Sequence, residues 1–179
     1  MATIFLDQNE QFPVAGPARI NGSKGSNDAV LVQDGVTGVN VDQTVERVDL
    51  AQDLSSFQFE FSDAGNLEIR DSGGNSVVSI ASVPSEADGG LDVRTTSGNV
   101  NVTNPVLGEF RLTNPNDSND TQPISQGGQP VQPNVDTGNR MSAADSGPTG
   151  GGGDNEITLS ANRTGPFDAA DDDLVFDFE

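Results

Sequence analysis

The chain predicts an all-β fold, and three observations carry that reading. Phe57, Phe59 and Phe61 alternate strictly with Gln58 and Glu60, and Leu67-Glu68-Ile69-Arg70 repeats the alternation; a period of two puts successive side chains on opposite faces of a strand. Asp63-Ala64-Gly65-Asn66 and Asp71-Ser72-Gly73-Gly74-Asn75 separate these runs, where Gly and Asn tolerate positive φ and Asp hydrogen-bonds its own following backbone. Val is the commonest bulky apolar residue, and neither long Leu-rich stretches nor a 3.6-residue period occurs, so helices should be few and short. Together these predict a single β-sandwich or jelly-roll-like domain with strands near both ends of the chain and a long irregular segment rich in Gly, Pro and Asn.

Taken in order, Thr3-Ile4-Phe5-Leu6 is a short apolar run, followed by Phe12, Val14 and Ile20, with Pro13 and Pro17 restricting these to edge or irregular strands. Gly22 to Val30 is a polar turn before the strand Val30-Leu31-Val32. Val39, Val41, Val45, Val48 and Leu50 mark short half-buried strands. A meander follows at roughly 56–62, 66–71 and 76–82. Leu91-Asp92-Val93 and Val100-Asn101-Val102 flank Ser97-Gly98-Asn99 as a hairpin, and Glu109-Phe110-Arg111-Leu112 gives one more strand. From Thr113 to Asn155 bulky apolar residues nearly vanish, which alone would not offset an ordering entropy of roughly 1–2 kcal/mol per residue. The expected organisation is therefore a β-rich core over 1–112, an apolar-poor extended segment over 113–155, and C-terminal strands over 156–179 that complete this domain or a neighbouring subunit.

The formal charge of −20, from 28 acids against 8 bases, is the strongest compositional fact. Phosphate backbones need clustered Lys and Arg, so nucleic acid is not an expected partner. Self-repulsion of this size calls for screening or bound cations, in a saline medium or one containing calcium. There is no Cys, and no stretch approaches the roughly 20 apolar residues of a membrane span. Met1 to Phe12 lacks the charged and apolar regions of a cleavable signal peptide, so export would use another signal.

The order Gly35-Val36-Thr37-Gly38-Val39 with Val41, Asp42, Gln43, then Val45-Glu46-Arg47-Val48-Asp49-Leu50, a Ser-Ser-Phe-Gln-Phe strand and Gly65-Asn66-Leu67-Glu68-Ile69-Arg70-Asp71-Ser72-Gly73-Gly74-Asn75-Ser76-Val77-Val78-Ser79-Ile80 resembles a segment recurring in large bacterial hemolysin-type calcium-binding proteins exported by type I secretion. It covers about a quarter of the chain. The resemblance implies export and calcium, and no reaction. Gly22-Ser23-Lys24-Gly25-Ser26-Asn27-Asp28 is an imperfect copy of the glycine-rich calcium nonapeptide of such proteins, and one copy cannot form a calcium-binding parallel roll, which needs stacked neighbours. The acidic cluster and short apolar run at the C-terminus also resemble a type I secretion signal, except that Asp177-Phe178-Glu179 ends the chain.

With no His, Cys, Tyr or Trp, the usual general bases, thiol nucleophiles and imidazole ligands are missing, and no enzymatic activity is expected. Ca²⁺ is the expected cofactor, since it takes six to eight oxygens from carboxylates, Asn side chains and carbonyls. The candidate ligands fall in three clusters: Asp168, Asp171, Asp172 and Asp173; Asn116, Asp117 and Asp120, with Asn114 and Asn119 beside them; and Asp28 with Asp34. None has the spacing of an EF-hand, and such a cluster is more often a solvated loop than a site.

The expected function is a secreted, non-catalytic structural protein that polymerises with itself into an extracellular filament or surface matrix. Its contacts would be edge strands, with Ile4, Phe5 and Leu6 or Leu174, Phe176 and Phe178 donated to a neighbouring subunit's sheet. The alternatives are a monomeric calcium-dependent adhesive module and a structural protein of a halophilic virus.

Overall fold

The computed structural model describes residues 1–83, 89–106 and 109–135. Its first six strands alternate between two sheets. Strands β1 (Ala2–Phe5), β3 (Ala18–Asn21) and β5 (Val39–Val41) lie side by side and parallel in the first sheet, and β2 (Gln11–Val14), β4 (Ala29–Val32) and β6 (Arg47–Leu50) do the same in the second. Parallel neighbours in one sheet need a crossover connection. Here each crossover is itself a strand of the opposite sheet, so the chain winds as stacked coils. Gln11, Ala29 and Arg47 are in register with one another at intervals of 18 residues.

A fourth coil closes the parallel stack: β9 (Ser76–Ile80) pairs with β5 and β10 (Leu91–Arg94) with β6. Before it, a 3-10 turn at Leu54–Ser56 leads into β7 (Phe57–Phe61) and β8 (Leu67–Asp71), which extend the first sheet antiparallel beyond β9. After it, β11 (Asn99–Val106), β12 (Glu109–Asn114) and β13 (Asp117–Ser125) extend the second sheet in the same way. The sheet orders are β1-β3-β5-β9-β8-β7 and β13-β12-β11-β10-β6-β4-β2.

The core lies between the sheets and is built in columns. Ile4, Ile20, Val41, Ile80, Leu67 and Phe61 follow one another across the first sheet, and Phe12, Val30, Val48, Val93 and Val100 across the second. All but Ile4 and Phe12, the two on the first coil, are buried. Far from that coil, Phe61 and Phe110 bridge the two sheets with ring centroids 3.9 Å apart.

The all-β class and the runs at 57–61, 67–71, 76–80 and 91–94 follow the expected alternation. The order of pairing differs from a jelly roll, whose neighbours run antiparallel. Alternation has the same period in parallel and antiparallel strands, so it leaves the direction of pairing open. The boundary expected after residue 112 falls inside β12, and β13 lies within the segment expected to lack internal support. Ladder bonds to β12 and burial of Ile124 hold it, although the rest of its sequence is polar residues and one Pro. Beyond β13, Val131 exchanges two backbone hydrogen bonds of 2.8 Å with Phe59, and Gly127 N–H donates to Phe61 O at 2.8 Å. The chain thus crosses from the second sheet to the outer edge of the first. No helix of the described residues is long and apolar enough to cross a membrane.

Phe59 sits where these elements meet, fully buried between Ile69 and Val131. Phe59→Ala should lower unfolding free energy by about 3–5 kcal/mol, read as a lower urea midpoint. Phe5→Ala, on an exposed ring, should stay within about 0.5 kcal/mol of the parent. Equal midpoints for the two variants would contradict this packing.

Candidate functional site

The site is built from sheet edges, of which the described residues have four: β1 and β7 in the first sheet, β2 and β13 in the second. Edge strands carry unpaired N–H and C=O groups, and proteins blunt them with Pro, charge or a covering segment. The β7 edge is covered by the 126–131 crossing. On β2, Ala29 N–H donates to Glu10 O and Gln33 N–H to Val14 O, so the even-numbered residues face β4 and Pro13 faces outward with no N–H to offer. The β13 edge contains Pro123 and the charges of Asp117 and Asp120.

Among the described residues β1 has none of these devices. Leu6 N–H donates to Asn21 O at 2.9 Å, so Ile4 and Leu6 address β3, and the backbone groups of Thr3 and Phe5 face the open edge. The side chain of Phe5 is 77% exposed and that of Met1 78%, the two large apolar side chains so placed among the described residues.

The three residues expected at subunit contacts here divide. Leu6 is buried in the protein's own core, Ile4 is half-buried against it, and Phe5 alone projects outward. The segment Thr3–Leu6 is therefore a member of its own sheet and not a free arm. Leu174, Phe176 and Phe178 lie outside the described residues, as do Asp168, Asp171, Asp172 and Asp173.

The remaining expected metal ligands do not converge. The strand β4 runs between Asp28 and Asp34, and six extended residues span about 20 Å, so one ion cannot take both. Asp34 accepts a hydrogen bond from the Gln52 amide on the surface. In the β12–β13 turn, Asn116 N–H donates to Asn114 Oδ1 at 2.9 Å, Asn119 N–H to Asp117 Oδ1 at 3.0 Å, and Asn114 Nδ2 to Asp120 Oδ2 at 3.2 Å. These oxygens satisfy the turn's own donors. Among the described residues no group of three or more acidic side chains is placed to hold a metal ion.

Asp28 has a structural role that the sequence reading missed. Glu10, Asp28 and Glu46 each precede the first residue of an even-numbered strand, again at intervals of 18 residues, and they form a staircase. Glu10 N–H donates to Asp28 Oδ1 at 3.2 Å, and Asp28 N–H donates to Glu46 Oε2 at 2.9 Å. Asp28 is fully buried, and its second oxygen accepts from Ser23 N–H. The repeat Glu10-x-Phe12-x-Val14, Asp28-x-Val30-x-Val32, Glu46-x-Val48-x-Leu50 was the signal that would have found it. Gly22 lets the coils approach, since a Cβ there would lie 2.6 Å from Thr44 O.

Burial pushes the Glu46 carboxyl above the ordinary glutamate range; the charges of Asp28 and Asp42 add to the push, and the hydrogen bond from Asp28 N–H opposes it.

Comparison with protein-family models, with curated proteins and with solved structures finds no match for this chain.

Because its folded-state pKa is raised, Glu46 contributes stability below its ordinary value that is lost as pH rises through the folded-state value. Glu46→Gln imitates the protonated form and keeps the acceptor for Asp28 N–H. The stability advantage of Glu46→Gln over the parent should therefore shrink as pH falls from about 7 toward about 4.5, measured by urea unfolding. An advantage that grows on acidification would reverse the assignment. Asp28→Ala strands the Glu10 and Ser23 N–H groups and should cost about 1–3 kcal/mol in the same assay.

Proposed function

We propose that this chain is a secreted, non-catalytic structural subunit that assembles by strand addition, with β1 as the acceptor edge. The observation that carries the reading is the contrast among the four edges: a crossing segment, Pro13 and Pro123 with acidic neighbours guard three, while β1 presents the backbone of Thr3 and Phe5 beside an exposed ring. An incoming extended segment would gain main-chain hydrogen bonds there, with alternate side chains reaching the half-buried Ile4 on one face and Phe5 on the other. Since β1 is already paired on its inner side, it acts as acceptor and not as donor. The donor named by the sequence is Leu174 to Phe178, in which Leu174, Phe176 and Phe178 share one face.

Donor and acceptor are then different surfaces of one chain. The contact is head-to-tail and propagates into a filament unless its rotation closes a ring. Export and an extracellular setting rest on the resemblance to type I-secreted calcium-binding proteins and on a charge of −20 without Cys. Calcium, in this reading, bridges Asp168 and Asp171 to Asp173 and screens the acidic donor from an acidic acceptor.

Negative-stain electron microscopy of the full chain, with calcium and with chelator, tests the proposal. Filaments should form and should disappear in Phe5→Pro, which removes one outward N–H from an edge where Ile4 is already extended. They should disappear equally on removal of residues 174–179, while both variants keep the parent's unfolding free energy in urea within about 0.5 kcal/mol. Monodisperse particles from the parent at high concentration in both conditions would sink the assembly reading. Filaments persisting in Phe5→Pro would remove β1 from it.

A further inference from the structure

The outer face of the first sheet carries a row of side chains fixed by register: Thr3, Arg19, Asn40, Ser79, Glu68 and Glu60. Of the five arginines among the described residues, four are held by a carboxylate: Arg47 by Asp49 at 2.9 Å, Arg70 by Glu60 at 2.6 Å, Arg94 by Asp92 at 2.8 Å and Arg111 by Glu109 at 3.1 Å. Arg19 is the exception. Its side chain is exposed, its neighbours in the row are Thr3 and Asn40, and it makes no ion pair among the described residues, although acids outnumber bases 28 to 8 in the chain. Glu68, further along the row, is turned to the hydroxyls of Ser76 and Ser79.

Arg19 stands in a cleft of about 340 Å³ that crosses β3, β5 and β9, with Asn40, Asn66 and Ser79 lining it and Met1 lying over Asn40. The Asn40 amide makes only long contacts there, to Gly38 O at 3.4 Å and Met1 Sδ at 3.7 Å. Asp42 closes one side; its Oδ1 takes Gly22 N–H, Thr44 N–H and the Thr44 hydroxyl, which leaves Oδ2 as an acceptor.

We infer that this cleft binds a carboxylated sugar, a hexuronate unit at the end of or within a glycan, with Arg19 gripping the carboxylate and Asn40, Asn66, Ser79 and Asp42 meeting hydroxyls. One guanidinium matches one carboxylate, as a two-pronged pair of charge-assisted hydrogen bonds. A phosphate would bring a second negative charge to a protein of charge −20 with no second cationic side chain beside Arg19 among the described residues of the cleft lining. Neutral amides, a hydroxyl and an acceptor carboxylate are what a polyhydroxylated ring needs, and an aromatic shelf for a flat base is missing from the cleft lining. The cleft lies inward of the β1 edge, so the inference stands apart from strand addition.

The test is a titration of the ¹⁵N-labelled full chain with digalacturonate, followed by amide and arginine side-chain NMR signals. Saturable shifts should centre on Arg19, Asn40 and Ser79 with a dissociation constant of about a millimolar. Arg19→Ala should weaken binding about tenfold or more, Arg19→Lys by less because the fork is lost and the charge is kept, and both should retain the parent's dispersed spectrum. Cellobiose, a neutral disaccharide, should give no saturable shift. The inference is overturned if digalacturonate gives none either, if Arg19→Ala binds as well as the parent, or if cellobiose binds equally. A peptide of residues 168–179 that saturates the same signals more tightly would overturn it as well, by assigning the cleft to the chain's own acidic end.

Discussion

Every coil of this protein depends on the next one presenting its apolar residues at the same height. A single coil of two four-residue strands exposes both halves of its inward face at its ends, and only stacking removes Ile20, Val30, Val41 and Val48 from water. Register is therefore the controlling constraint. A slip of one residue would bring the outward Asn40 and Asp92 to the inner positions of Val41 and Val93. The staircase of Glu10, Asp28 and Glu46 acts on this constraint, because the Asp28 and Glu46 carboxylates each take the N–H of the equivalent residue one coil back. The cost is a carboxyl taken out of water beside other acids: burial first, and then the charges of Asp28 and Asp42, raise the pKa of Glu46. Acidity here is thus partly a device for alignment and not wholly a surface property.

What the sequence made legible and what it hid follow from the same physics. The runs around Phe57 to Ile80 could be read because Gly65 and Gly74 adopt positive φ in tight turns that leave antiparallel strands adjacent in sequence. Parallel pairing could not, since its partners are 16 to 45 residues apart and share no turn, as Ala2 with Ala18 and Arg47 with Asp92 show. The repeat was masked by unequal turns on the first sheet's side, where Ala2 to Ala18 and Arg19 to Asn40 are unequal steps while the second sheet keeps its step of 18. β13 escaped because its stability comes from ladder bonds to β12 and one buried Ile124, neither of which leaves a composition signal.

The candidate site shows the limit of reading clusters by density. Asp28 and Asp34 are near in sequence and far apart along a strand, and the acids and amides of the 114–120 turn are directed at their own backbone. Sequence proximity brings oxygens together only where the chain reverses with side chains pointing inward, and a strand does the opposite. Phe5 follows the ordinary rule of a strand. An apolar run with Phe at an alternating position predicts one buried and one outward series, and at an edge the outward member stays exposed.

The two ends of the stack are unlike, and that asymmetry bears most on function. At the far end the chain spends residues 126–131 on crossing between the sheets, pairing Val131 with Phe59 and placing Gly127 where a Cβ would lie 2.4 Å from Asp63 Oδ1. Such a fit is specific to closure. At the near end the first coil carries the half-buried Ile4 and Phe12, the only members of their columns not fully covered. A further strand laid on β1 would extend the first sheet's ladder and cover Ile4, while Pro13 keeps the second sheet from growing in step. Growth restricted to one sheet would accept a single strand and refuse a whole coil.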